Sequence, residues 1–195
     1  MQTFVISSDS TCDLYSDYVV QNEIAVVPLR YTMDKDGSLT EHEDSFTEYS
    51  QYVDFYAQLR AGGFSRTSML NHEAHLSHFE KLIAAGAKEI VHVSLSGGLS
   101  PTANVAAQAA AEAEQKHPGC KIYPVDSLAA TIGQGALVRE AVRLRAEGKS
   151  AAETASALRE MPLHIQYSII AKDLFYLKRG GRVSAVAAAA GTLLK

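Results

Sequence analysis

Short apolar runs alternating with helix-like segments constrain this chain more than any other feature of its sequence. Residues 2–7, 24–30, 89–95, 121–125 and 164–171 contain Val, Ile and Tyr, and most are near-continuous rather than alternating in polarity. Runs of that kind belong to strands buried on both faces. Between most of them lie segments of helical period with recognisable boundaries. Ser45-Phe46-Thr47-Glu48 has the form of a capping box opening a helix to about Arg60. Asn71 can cap a helix to about Ala85, ahead of Gly86, and Ser100-Pro101 opens another that ends near Pro118-Gly119. A further helix covers about 128–147, and Ser150-Ala151-Ala152-Glu153 opens the next, to about Glu160. The alternation predicts an α/β fold: a parallel, Rossmann-like sheet with helices on both faces, three layers in all.

With 195 residues, 47% of them hydrophobic, the chain supports one sizeable core, or one core and part of a second. A net charge of -4 argues against a nucleic-acid-binding face covering the whole molecule. Cys12 and Cys120 lack metal-ligand spacing and read as reduced thiols of a cytosolic protein. Thr3-Phe4-Val5-Ile6 follows Met1 almost at once, so a signal peptide is not expected, and no run approaches the ~18 apolar residues of a membrane span. The expectation is a soluble, cytoplasmic protein. A helical pattern beginning near Ser184 reaches Lys195 without a stop signal, as if the chain continued into a further element.

In open α/β sheets, ligands sit beyond the carboxyl ends of the strands. The loops to search are therefore Ser7–Thr11, Ser94–Ser100 and Asp126–Ser127, and three hydroxyl-rich segments stand out: Ser7–Thr11 after the first strand, Ser65–Ser68 before a helix, and Ser94–Ser100 between a strand and a helix. Glycines at 97 and 98 let backbone approach a ligand, and hydroxyls with free N–H groups suit a carboxylate, which only accepts hydrogen bonds. Taken singly, each Ser or Thr could equally cap a helix or close a turn. His72, His75 and His78 are three apart, not four as in HExxH, and read as a solvated helix face rather than a zinc site. Asp34–Asp44 reads as a solvated turn and extended segment. Gly98-Leu99-Ser100-Pro101-Thr102 lacks the second glycine of a nucleophile elbow, which leaves a serine hydrolase using Ser96 or Ser100 as the alternative function.

Five motifs, in order, resemble those of the DegV family. Asp9-Ser10-Thr11 is similar to its DST opening and Thr67-Ser68 to the start of its TSQP motif. Leu95-Ser96-Gly97-Gly98-Leu99-Ser100-Pro101-Thr102 resembles SSGLSGT, Asp126-Ser127 the DS element, and Leu177–Ser184 the LxxxGRIS segment. The resemblance implies the EDD fold of a bacterial fatty-acid-binding protein. An α/β head-group domain (1–170) would be followed at 171–195 by the crossing into a smaller α+β second domain, with the acyl tail in a tunnel between them. It implies a non-enzymatic carrier that presents a long-chain fatty acid to an ATP-dependent fatty acid kinase, with no cofactor other than the bound lipid. The head-group roles fall on Thr67 and Ser96, with Ser68 beside them and Arg182 facing the head group or the phosphate chemistry. Gly97 stands where the family has a second serine, so only its backbone N–H is available, and Met69-Leu70 replaces Gln-Pro.

Overall fold

The computed structural model describes residues 4–166, 168, 170, 174, 178, 180, 181 and 184. It divides into two compact units, Met1–Ile165 and Gln166–Lys195. Arg182, with Leu177, Arg179 and Val183 of the same segment, lies outside the described residues.

The first unit is built on a four-stranded parallel sheet of β1 (Val5–Asp9), β2 (Ile24–Val27), β6 (Glu89–Ser94) and β7 (Lys121–Asp126), in the order β2-β1-β6-β7. The central strands β1 and β6 carry the near-continuous β-branched runs because neither face meets water: Ile6, Ile90, Val91 and Val93 are all fully buried. Each such side chain contributes about 1.5–3 kcal/mol of burial free energy. Pro124, which donates no ladder hydrogen bond, is tolerated because β7 is an edge strand paired only with β6.

Alternate residues feed two cores. Val5, Ile90 and Ile122 share one face with Phe79 of α3 (His72–Ala84) and Ala109, Ala110 and Ala113 of α4 (Thr102–Lys116). Ile6, Val91 and Val125 face Leu137, Val138 and Ala141 of α5 (Ile132–Ala146) and Ala155 and Leu158 of α6 (Ala151–Glu160). Tyr18 and Val19 of the short helix α1 (Ser16–Gln21) pack against that second core. The small alanines of α4 let it lie close against the sheet. The three-layer α/β arrangement expected from the alternation is the one observed. Among the described residues no helix is long and apolar enough to cross a membrane.

Between β2 and α3 the chain builds a second, antiparallel sheet of β3 (Arg30–Lys35), β4 (Ser38–Glu43) and β5 (Phe64–Ser68), in the order β4-β3-β5. The supposed solvated turn around Gly37 is the hairpin that joins β3 to β4. Asp36 and Gly37 both take positive φ (55° and 80°), as a two-residue loop matched to strand twist requires, and Gly37 N–H donates to Asp34 Oδ1 at 3.1 Å. Helix α2 (Tyr49–Arg60) buries no residue fully and is tied to this sheet by ring contacts among Tyr31, Phe46 and Phe55. Its start lies four residues beyond Ser45, where the Gln51 side chain accepts the N–H groups of Thr47 and Glu48.

Two further expectations are corrected. No described residue of 164–171 is in a strand; Met161–His164 form a 3₁₀ turn that prolongs α6. The histidine face of α3 is solvated only in part: His72 is half-buried at the surface, but His75 is fully buried beside Phe79 and His92, with ring centroids of His75 and His92 5.4 Å apart. Ser7 Oγ bridges His78 Nε2 (2.8 Å) and His92 Nδ1 (2.9 Å), while both nitrogens of His75 find no partner among the described residues. Burial, and beyond it the neighbouring His72 charge, lowers the His75 pKa to about 4; burial likewise lowers His78 to about 4 and His92 well below its ordinary value.

A depressed folded-state pKa means the unfolded chain takes up the proton first. The stability tied to neutral His75 is present above pH ~6.5 and lost as pH falls towards 4. His75→Leu removes an unsatisfied group and this proton uptake together. Urea titrations of wild type and variant at about pH 7 and pH 4.5 should show the variant losing about 2–3 kcal/mol less on acidification. Equal losses in both proteins would contradict the assignment.

Candidate ligand-binding site

The strand order places a topological switch point between β1 and β6. The chain leaves β1 towards β2 on one side and leaves β6 towards β7 on the other, so the two loops diverge and open a crevice at the carboxyl ends. The loop after β7 (Ser127–Thr131) reaches the same end, since Ser127 N–H donates to Ser94 O and Ser96 N–H to Ala129 O.

Asp9, the last residue of β1, is fully buried and joins the pieces. Its Oδ2 accepts Leu95 N–H at 2.8 Å; its Oδ1 accepts Thr11 N–H at 3.1 Å and Gln134 Nε2–H at 2.9 Å, the latter reaching in from α5. The Thr11 hydroxyl lies against both Asp9 Oδ1 and Gln134 Oε1, and its one proton serves one of them at a time. Ser10 Oγ donates to Asp44 Oδ2 at 2.6 Å and accepts Leu29 N–H at 3.0 Å, which fastens the end of β1 to both ends of the β3–β4 hairpin. For the Ser7–Thr11 segment, therefore, every hydroxyl is engaged within the protein: structure accounts for this motif without a ligand.

Beside it lies a cavity of about 230 Å³, with Leu14, Val26 and Phe46 as apolar wall and Ser10, Asp13 and Asp44 as polar lining. It falls short of the roughly 300 Å³ at which ligand pockets begin. Burial raises the pKa of Asp44 despite the opposing Ser10 hydrogen bond, and burial followed by the Asp44 charge raises that of Asp13.

The loop Leu95–Ser100 is the better-equipped binding element. Ser96 is mostly buried; its Oγ accepts Gly98 N–H at 3.2 Å, and its own proton has no acceptor among the described residues. Ser96 O takes the N–H groups of Leu99 (3.0 Å) and Ser100 (3.1 Å). The Gly97 N–H, expected to be available to a ligand, is instead held by both oxygens of Asp126 at 3.1 Å. Ser100 does not cap α4 with a good hydrogen bond. Its Oγ lies 2.8 Å from Thr102 Oγ1, and α4 starts only at Thr102, one residue after Pro101.

Thr67 and Ser68 sit in β5 rather than in a loop, opposite Tyr31 and Arg30 of β3, with exposed side chains. The Thr67 hydroxyl is unpartnered among the described residues, and no described hydrogen bond joins Thr67 or Ser68 to Ser96–Gly98. Of the candidate residues, then, the structure brings together Ser96 and Gly97 and leaves Thr67 and Ser68 on a separate sheet. It gives Asp126, expected at this strand end as part of the DS element but without a named partner, its contact with the Gly97 N–H. Exposed apolar side chains lie on these elements: Leu99 and Leu128 on the two loops, Ile132 at the start of α5, and Met69 just after β5.

Neither Ser96 nor Ser100 has a histidine partner among the described residues. Ser7, which is bonded to His78 and His92, is completely buried and out of a substrate's reach. The serine hydrolase alternative has no support in this geometry.

A doubly wound parallel sheet with a hydroxyl-bearing loop at its switch point defines an α/β protein of the kind that holds small ligands at strand ends. The chain belongs to the DegV family: the family profile described as an uncharacterised protein of the DegV family matches residues 3–195. The DegV domain-containing protein YteA of Lactococcus lactis is 33% identical over 191 residues, covering 98% of this chain and 64% of that protein. Among solved structures, a DegV family protein from Thermus thermophilus, described for its fatty acid binding, is similar with a TM-score of 0.76 at 28% identity, covering 99% of this chain and 65% of that one. A stearic-acid-binding protein from Eubacterium ventriosum is similar with a TM-score of 0.74 at 26% identity, covering 96% and 62%. The chain thus spans just under two thirds of the length of these relatives.

Asp9→Asn should test the structural role given to the DST segment. The amide places an N–H against the Leu95 or Gln134 donor, leaving a buried donor unpaired at a cost of about 3 kcal/mol. Denaturant unfolding of the variant should show that loss; an unchanged midpoint would contradict it.

Proposed function

We propose that this chain is the head-group-binding part of a non-catalytic fatty acid carrier. The observation that carries the reading is the Ser96 hydroxyl: mostly buried at the switch point, pinned by Gly98 N–H, and left with a proton to give. The similarity of the whole domain to two proteins described as fatty-acid-binding supports it. Ser96 donates to the carboxyl group, and Thr67, with Ser68 beside it, supplies the second hydroxyl when the head group bridges to β5. Leu99, Leu128, Ile132 and Met69 give the first methylenes an apolar surface.

Magnitudes divide the work. A charge-assisted hydrogen bond contributes ~1.5–3 kcal/mol net. About a dozen buried methylenes contribute roughly 10 kcal/mol gross at ~0.8 kcal/mol each. The tail therefore supplies affinity while the hydroxyls orient the carboxyl group. The 230 Å³ cavity of the described unit is too small for such a tail, so the reading assigns most of the tail to a tunnel shared with a second domain. It keeps 1–170 as the head-group domain and 171–195 as the crossing; Arg182 of that crossing serves the head group or its phosphorylation. In this reading the carrier works in the cytoplasm, requires no cofactor of its own, and hands the carboxyl group to an ATP-dependent fatty acid kinase.

Denaturing organic extraction of the purified full-length protein, followed by mass spectrometry, tests the reading. Wild type should yield near-stoichiometric long-chain fatty acid. A Thr67→Ala, Ser96→Ala double variant, short of two charge-assisted bonds, should yield at least about tenfold less. Fatty-acid-free wild type that also fails to load from added lipid would contradict the carrier reading.

A further inference from the structure

The loop after β7 holds two non-glycine residues, Leu128 and Thr131, at positive φ (50° and 49°). Thr131 is the more unusual of the two. Its ψ of -127° puts it at the second position of a type II′ turn over residues 130–133, closed by Gly133 N–H donating to Ala130 O at 3.1 Å. Glycine, asparagine and aspartate dominate that position, because a Cβ crowds the flanking peptide, and a β-branched side chain fits it worst. Such strain persists only where the surrounding structure over-determines it.

Both ends of the turn are fixed in that way. On the α5 side, Gly135 N–H donates to Thr131 O at 2.8 Å, and Gln134 is anchored on Asp9. Gly135 lies so close to the turn after β1 that a Cβ there would come within 2.5 Å of Cys12 O, which leaves α5 no room to move towards it. On the other side Ala129 is buried, and its carbonyl accepts both the Ser96 N–H and the Ser127 hydroxyl at 2.9 Å. Ser127 N–H in turn donates to Ser94 O at 3.1 Å. Ala130 and Thr131 have to join these two fixed points, and the strained turn is the conformation that joins them.

We propose that Thr131 is a positioning residue for the head-group loop, its confined backbone holding Ala129 O against the Ser96 N–H. The inference rests on the reading of Ser96 as the head-group donor. A residue with a Cβ has little room around the angles of Thr131, whereas glycine ranges widely at positive φ. Threonine here gives up stability for a stiff turn. Its influence reaches the ligand through two residues of chain and one hydrogen bond, with no contact between Thr131 and the ligand. With glycine at 131 the turn loosens, and binding has to order the Ser96 loop again. Re-fixing the backbone of a single residue lowers affinity by at least about fivefold.

The test measures the dissociation constant of a long-chain saturated fatty acid for delipidated full-length protein, together with the urea unfolding midpoint. Thr131→Gly should bind at least about fivefold more weakly than wild type, with a midpoint no lower than that of wild type. Thr131→Ala removes the hydroxyl and keeps the Cβ, so its affinity should change by less than that. Weaker binding without lost stability is a combination that a merely structural role does not produce. A change below fivefold in Thr131→Gly overturns the positioning role while leaving the carrier reading intact. Binding as weak in Thr131→Ala as in Thr131→Gly assigns the effect to the hydroxyl and overturns the backbone account. A lowered midpoint in Thr131→Gly, or its failure to fold, overturns the strain on which the inference stands. If wild type binds no fatty acid, the reading of Ser96 fails and this inference with it.

Discussion

The Asp9 carboxylate is the contact on which the rest of the binding end depends. It has no exposure to water, yet every donor around it is supplied: Leu95 N–H from the loop after β6, Gln134 from α5, and Thr11 from its own turn. A buried carboxylate so satisfied is stable, and one with a donor missing is costly. The three elements it joins therefore cannot shift independently. Ser96 follows Leu95 by one residue, so the position of its hydroxyl is set by a residue that no ligand touches.

That dependence separates two kinds of hydroxyl that look alike in the sequence. Ser10 and Thr11 are consumed in fastening strand β1 to its neighbours. Ser96 is fastened from outside, through its own N–H and through Gly98, and keeps its proton. The carboxylate of Asp126 completes the loop from the β7 side. This end of the sheet is thus a rigid frame with few uncommitted donors among the described residues, which under the proposed function would favour orienting a head group over retaining it strongly. Retention is left to apolar area, in keeping with exposed Leu99, Leu128 and Ile132 around the loops.

Much of the parallel sheet was legible because its strands are buried on both faces and leave continuous apolar runs, and because Asn71 and Ser150 cap their helices with the hydrogen bonds their positions suggest. The small sheet was not. In β3 only Tyr31 and Met33 face inward, and the acidic residues between β3 and the end of β4 obscured a period of two that Asp36-Gly37 should have flagged as a hairpin. β5 has one apolar residue at its start and owes its form to pairing with β3, which no local pattern announces. Residues 164–171 misled in the opposite way: apolar content without a strand partner among the described residues. Within the candidate site, the two glycines after Ser96 drew attention to its loop in the sequence, whereas the bond between Gly97 and Asp126 spans 29 positions and became visible only once β6 and β7 were paired.

The most direct measurement of the central claim is a crystal structure of the full-length protein with a long-chain fatty acid bound. The account predicts a carboxyl oxygen within about 3.2 Å of Ser96 Oγ, at the switch point between β1 and β6, with the Asp9–Leu95 bond unchanged. A head group seated elsewhere, for instance in the cavity beside Asp13 and Asp44, with the Ser96 hydroxyl facing only water, would contradict it.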